Sequence, residues 1–230
     1  MNEPSPQIDA LPVALVLGGS GLIGGLLLRR LLDSGKYQKV IAISRQRLPL
    51  AHSQLENIVD DMSNLAEVMR GLTATDVYCC LGTTMKVAGS EQKFRHVDYE
   101  LPVIAAESAR KSGATHFLVV SAIGANARSH FFYNRVKGEL EAELKRLGFP
   151  YLTIMQPSLL LGDRDEQRVV EKVSGQIFGF LKPVMVGGLA NIAPIDAENV
   201  ANKMVEEAMR VRSGDRQKQK VVTIQSKDMQ

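Results

Sequence analysis

Short apolar runs alternate with longer amphipathic stretches along most of the chain. The runs Leu11–Leu17, Lys39–Ser44, Asn57–Asp60, Asp76–Leu81, His116–Ser121, Tyr151–Met155 and Lys220–Gln225 are rich in Val, Ile, Leu and aromatic residues, which predicts strands. Between them, apolar positions recur at helical spacing. Helices are predicted from the leucine-rich segment after Gly24, over Ser63–Gly71 with Ser63 as N-cap, over Ser90–Ser112 closed by Gly113, over Phe132–Leu147 stopped at Gly148, and over Asp196–Arg212. Strands that alternate with helices at this spacing predict an α/β protein with a doubly wound parallel sheet. No internal repeat or linker divides residues 1–230, so a single domain is expected. Residues 1–9 are polar and proline-bearing and read as a disordered tail. The rhythm breaks after Gly162, where Asp163-Arg-Asp-Glu166 precedes a segment containing glycine, phenylalanine and proline. This irregular stretch follows a strand's carboxyl end, where open α/β sheets place substrate, and residues 163–192 read as a small substrate cap. A plain structural insertion is the other reading of that stretch.

The densest chemical signal lies between the first strand and the first helix. Gly18, Gly19, Ser20, Gly21, Leu22, Ile23 and Gly24 fit the dinucleotide fingerprint through Gly19, Gly21 and Gly24, and equally a G-x-x-G-x-x-G pattern through Gly18, Gly21 and Gly24. Glycines in such a loop permit a tight turn, close approach of backbone to a pyrophosphate, and packing of helix on strand. The orphan amides and positive end of the helix then face the phosphates.

Composition narrows the class. At 230 residues and 45% hydrophobic content the chain can bury a full core. A formal charge of +3 without a dense basic run gives no reason to expect nucleic acid. Ala10–Leu28 carries no charge and is long enough to span a bilayer, but Pro12, the interrupting glycines and the acidic Glu3 and Asp9 argue against a span or a signal peptide. Cys79 and Cys80 are strand neighbours pointing to opposite faces, so buried thiols are expected rather than a disulfide, which suggested a reducing, cytoplasmic setting. His52, His96, His116 and His130 show no metal-ligand spacing, and no metal is expected.

The end of the second strand discriminates between cofactors. An NAD site places an acidic residue there for the ribose 2′-hydroxyl, whereas this chain has Ser44-Arg45-Gln46-Arg47. Arg45 and Arg47 can pair with a 2′-phosphate, so NADP(H) is expected over NAD(H). Asp60, Asp61 and Met62 follow the third strand, where a carboxylate can accept from the adenine amino group. The spacing leaves open which aspartate does so, with Asp61 favoured.

Tyr133-Asn-Arg-Val-Lys137 carries the candidate chemistry, since i, i+4 spacing puts both side chains on one helix face. A tyrosine hydroxyl ordinarily titrates near 10, and an adjacent ammonium favours its phenolate. Lys137 would also bond the nicotinamide ribose, and Ser121 would hold the substrate oxygen beside the phenol. The pair recurs by chance; its place after a fifth strand ending in serine, downstream of the glycine loop, gives it weight.

Gly18–Gly24, Leu81-Gly82-Thr83-Thr84, Ser121, Tyr133 with Lys137, and Gln156-Pro157-Ser158 together resemble an atypical short-chain dehydrogenase/reductase. Cys79–Thr84 and Phe131–Glu139 are especially similar to the Tat-interacting-protein branch and its bacterial relatives. The resemblance covers about residues 12–212. It implies a Rossmann fold, bound NADP(H), catalytic positions at Ser121, Tyr133 and Lys137, cofactor contacts at Leu81 and Gly82, Thr83 near the nicotinamide ribose, and the Pro157, Ser158 and Leu159 backbone near the carboxamide. Two departures stand out: Asp98 occupies the place where extended members commonly carry asparagine, and Ala122 and Ile123 follow Ser121 where another hydroxyl is expected. Two functions fit, a reductase of a small carbonyl-type substrate and a non-catalytic NADP(H)-binding regulator acting through a protein partner. A homodimer is compatible with either.

Overall fold

A computed structural model describes residues 11–161, 193–216 and 220–229. The tail at 1–9 and the cap at 163–192 lie outside the described residues. Seven parallel strands form one sheet in the order β3 (Leu55–Val59), β2 (Lys39–Ser44), β1 (Val13–Leu17), β4 (Asp76–Cys79), β5 (His116–Val120), β6 (Tyr151–Gln156) and, in sequence the last, β9 (Val221–Gln225). Two short strands, β7 (Leu160–Leu161) and β8 (Ile195–Asp196), pair separately. The sequence pattern did not predict this pair, because two residues carry no periodicity.

Strand alternation divides the core in two. Ala14 and Val16 face one side with Leu27, Leu31, Val200 and Met204, from helices α1 (Leu22–Asp33) and α7 (Ala197–Arg212). Leu15 and Leu17 face the other with Ala105, Leu140 and Leu144, from helices α5 (Leu101–Lys111) and α6 (Phe132–Arg146). Apolar residues on both faces of a central strand are what a sheet covered on both sides requires. Arg30 and Glu198 tie α1 to α7 as an exposed ion pair.

The chain runs outward from β1 to β3, then returns beside β1 as β4 and runs outward the other way. The order of the strands therefore reverses at β1 and β4, and the loops leaving their carboxyl ends open a crevice there. Cys80 N–H donates to Leu17 O at 2.9 Å, so the two loops begin in register.

The predicted helix from Ser90 to Ser112 is one continuous rod with a defect. Ser90 caps α4 (Glu91–Arg95), His96–Glu100 form a turn of π-helix, and α5 follows. Leu101 N–H reaches back to His96 O, one residue beyond α-helical register. Pro102 has no N–H to close an α-helical bond to the Asp98 carbonyl, so widening at this point loses little. The extra residue in the turn carries Asp98 fully into the interior. Elsewhere, the short α2 (Leu65–Val68) starts later than predicted, because Ser63 N–H is taken by the Asp61 carboxylate at 2.8 Å and Ser63 is not its cap.

At the amino-terminal end of the strands, opposite the crevice, a polar cluster is buried. Tyr37 hydroxyl donates to Asp76 Oδ2 at 2.6 Å, Arg212 stacks 4.4 Å from the Tyr37 ring, and Arg216 Nη1 donates to Thr153 Oγ1 at 2.6 Å. These contacts fasten α7 and the turn after it to the sheet.

Candidate active site

The glycine loop after β1 follows the spacing through Gly18, Gly21 and Gly24. Gly18 has φ +84°, and a Cβ there would lie 2.6 Å from Cys80 O, so both the turn and the approach of β4 require glycine. Gly21 N–H donates to Gly18 O at 3.0 Å, and a Cβ on Gly24 would collide with that same carbonyl. Gly19 does not make the turn: a Cβ on it meets the movable end of Leu28. Gly21 has φ −84° and ψ 172°, extended backbone open to any residue, so the demand there is space and not backbone angle. It caps α1 without a side-chain hydrogen bond, and the first turn of α1 contains no acidic residue. Uncapped amides at an exposed positive helix end, beside a loop that only glycine can build, fit a pyrophosphate.

Past β2, Ser44 is buried, donates to Gln46 O at 2.8 Å and accepts from Asn57 Nδ2 at 2.8 Å. This fixes the start of the loop while leaving Arg45 and Arg47 exposed on its outside. Past β3, Asp60 accepts from Met62 N at 2.6 Å, and the buried Met62 holds a left-handed φ of 69°. Asp60 is thus engaged in its own turn. Asp61 is exposed, and the Ser63 hydrogen bond holds its carboxyl below the usual range.

Lys137 and Asp98 form a buried ion pair at 2.7 Å, and Asp98 Oδ2 accepts Thr83 N–H at 2.8 Å. One carboxylate therefore joins α6 to the loop after β4, which carries Leu81, Gly82 and Thr83. Tyr133 lies one turn before Lys137, part-buried, with its ring 5.6 Å from that of Phe94. Burial pushes the Lys137 ammonium down, but Asp98 and Tyr133 outweigh it and hold its pKa above the ordinary value. For Tyr133, burial raises the phenol, Lys137 pulls it down and Asp98 pushes it up again; the net is above the ordinary value. The expected lowering by Lys137 is thus overridden by desolvation and by a carboxylate that the spacing argument did not include. Cys79, behind the pair, is pushed up to about 11 mainly by burial.

Ser121 points elsewhere than expected. Its hydroxyl donates to Glu141 Oε1 at 2.5 Å, and Gln156 Nε2 donates to the same oxygen at 2.9 Å. Ser121 is buried and its proton is committed, and neither Ala122 nor Ile123 carries a hydroxyl. Glu141 was missed, although it continues the i, i+4 series of Tyr133 and Lys137 along the same face. Gly138 was missed as well: a Cβ there would collide with the backbone of Asn126 and Ala127, so glycine lets the β5–α6 loop lie against α6. Asn134 holds that loop through Gly124 O at 2.7 Å. Ile123 N–H donates to Pro157 O at 3.0 Å, and Ser158 hydroxyl donates to Ala193 O at 2.7 Å, with Leu159 O accepting Ile195 N–H at 2.8 Å.

Among the described residues, no group of three His, Cys, Asp or Glu could hold a metal, and no helix is long and apolar enough to cross a membrane. Cys79 and Cys80 are free.

A family described as NAD(P)H-binding matches residues 18–180. Rat HTATIP2 is 36% identical over 179 residues, covering 76% of this chain and 74% of that protein. The Candida albicans protein named FMP52, mitochondrial, is 31% identical over 220 residues, covering 93% of this chain and 95% of its own length. A solved oxidoreductase of the short-chain dehydrogenase/reductase family from Burkholderia thailandensis superposes with a TM-score of 0.65 at 19% identity, over 96% of this chain and 93% of that one. At that identity it shows the fold, a Rossmann-like sheet. The cytoplasmic expectation is corrected: several relatives are FMP52 proteins named mitochondrial. Buried reduced thiols fit more than one compartment, so cysteine usage could not decide it.

Proposed function

Since the chain belongs to the NAD(P)H-binding, atypical short-chain dehydrogenases/reductases related to HTATIP2, we propose that it is an NADP(H)-dependent reductase of a small carbonyl-type substrate. The observation that carries this reading is the buried Lys137–Asp98 pair, one helical turn from Tyr133 and bonded to Thr83 beside the glycine loop. A lysine desolvated at this point needs a purpose there, because an ion pair of this kind contributes little to stability compared with apolar packing.

The amides that start α1, with Gly18, Gly21 and Gly24, would hold the pyrophosphate. Arg45 and Arg47 would take the 2′-phosphate, Asp61 the adenine amino group, and Thr83 and Lys137 the nicotinamide ribose. When bound, the reduced nicotinamide supplies a hydride. Tyr133 holds a phenolic proton that it gives to the carbonyl oxygen as that oxygen becomes an alkoxide. Burial holds the Tyr133 phenol above its ordinary value, so at neutral pH the proton is there to give. Lys137 keeps the ribose and the phenol on one face of α6.

The second reading, a non-catalytic NADP(H)-binding regulator acting on a protein partner, draws support from Ser121. Its proton goes to Glu141, which leaves the substrate oxygen without the second donor that the serine was expected to give. The two readings separate by steady-state NADPH oxidation with a panel of aldehydes, ketones and quinones. The reductase reading expects turnover with at least one class, and binding without turnover across the panel would favour the regulator.

A further inference from the structure

Asp98 is fully buried, yet as a carboxylate it carries a charge whose burial is expensive. The fold goes to some length to bring it inside, through the π-helical turn at His96–Glu100. Its two oxygens divide their work. Oδ2 accepts Thr83 N–H, which an asparagine carbonyl would do equally well. Oδ1 lies 2.7 Å from Lys137 Nζ, and only a carboxylate neutralises the ammonium.

The other groups around Tyr133 and Lys137 leave that neutralisation to Asp98. From α4, Phe94 presents an aromatic ring, and Arg95 turns to Glu139 at 2.5 Å. From β4, the Cys79 thiol is held neutral by burial. Along α6, Arg135 bonds the carbonyls of Ser129 and His130, and Glu141 is occupied by Ser121 and Gln156. Glu141 keeps its charge under those bonds, with Lys145 Nζ 3.9 Å from its other oxygen, and the charges that bear on Tyr133 are Lys137 and Asp98.

We propose that Asp98 is a positioning residue that offsets part of the field of Lys137 at Tyr133, so that the phenol holds its proton more tightly than the ammonium alone would allow. The inference rests on the reading of Tyr133 as the proton donor. An uncompensated ammonium one helical turn away would favour the phenolate strongly, whereas one paired with a carboxylate favours it less.

The test follows the Tyr133 phenol by NMR of ring-labelled tyrosine across a pH series, with its signal identified by loss in Tyr133→Phe. Asp98→Asn keeps an acceptor for Thr83 N–H and removes only the charge. It should lower the Tyr133 midpoint by about one pH unit or more, the scale of an opposite charge at short range. An unchanged or raised midpoint overturns the proposal. Should the single variant not fold, Asp98→Asn/Lys137→Met, which leaves no unpaired charge inside, decides the matter: a midpoint within about half a unit of wild type is expected, and a rise of about one unit or more shows that Lys137 acted uncompensated. The signal is read without substrate. A protein that reduces no carbonyl therefore refutes the reductase reading alone, and an unmoved phenol refutes this inference alone.

Discussion

His116 provides a pH-dependent hold on the fold whose size follows from its surroundings. Its ring is fully buried at the start of β5. Nε2 is 2.8 Å from Thr153 Oγ1, and the same oxygen accepts from Arg216, so the threonine's own proton is available to Nε2. That arrangement suits a neutral imidazole with its proton on Nδ1, 3.7 Å from Asp76 Oδ1. Burial, reinforced by Arg216 and then Arg212, pushes the ring's pKa down from 6.5 to about 3. A base whose folded pKa is depressed gives stability that is fully present above the unfolded value, near 6.5, and lost as pH falls toward the folded one. The loss is about 1.4 kcal/mol per pH unit within that window, so it reaches about 3 kcal/mol at pH ~4.5. Burial also raises the neighbouring Asp76 carboxyl above its ordinary value, so the histidine's share must be separated from it. The comparison with His116→Gln isolates the histidine, because glutamine can keep the bond to Thr153 and does not titrate. Urea unfolding followed by circular dichroism should show the wild type losing about 3 kcal/mol more than His116→Gln between pH ~7.5 and pH ~4.5. Parallel losses in the two proteins would refute a neutral, buried His116.

Further expectations follow from single contacts. Gly24→Ala drives a Cβ into Gly18 O and should cost about 1–3 kcal/mol in thermal or urea unfolding while abolishing NADPH binding by calorimetry; normal binding would contradict the loop assignment. Gly138→Ala should cost a similar amount, about 1–3 kcal/mol, by pushing the β5–α6 loop off α6, and unchanged stability would contradict that packing. Arg45→Ala should weaken NADPH by about 10-fold or more, the worth of a charge-assisted hydrogen bond, and leave NADH little changed; equal affinity of the wild type for both cofactors would contradict the assigned preference.

What the sequence made legible was whatever depends on periodicity or on a fixed spacing. The buried strands, α1, α6 and α7 each announce themselves by apolar runs or by i, i+4 faces, and the Tyr133–Lys137 pair shares a face for the same reason. The rest depended on backbone angles or on partners distant in the chain. Both glycine spacings were readable, but only the positive φ of Gly18 and the nearness of Gly24 to Gly18 O select between them. Asp98 was visible as a departure from a family pattern, yet its pairing with Lys137 became apparent only with the π turn it lies in, a widening made easy by the proline four residues on. Ser121 follows its strand as expected, and spacing puts Glu141 on the face of Tyr133 and Lys137, but that Glu141 accepts the serine's hydrogen bond from twenty residues later needed the packed fold.

The central claim is that Tyr133 donates a proton in an NADPH-dependent reduction, and Tyr133→Phe tests it most directly. Phenylalanine keeps the ring against Phe94 and the fold around it, and removes only the hydroxyl. With a carbonyl substrate that the wild type reduces, turnover should fall by about 100-fold or more, the scale of a lost general acid, while calorimetry finds the NADPH affinity unchanged. Turnover equal to that of the wild type would contradict the account and leave Tyr133 and Lys137 as a clamp for the nucleotide.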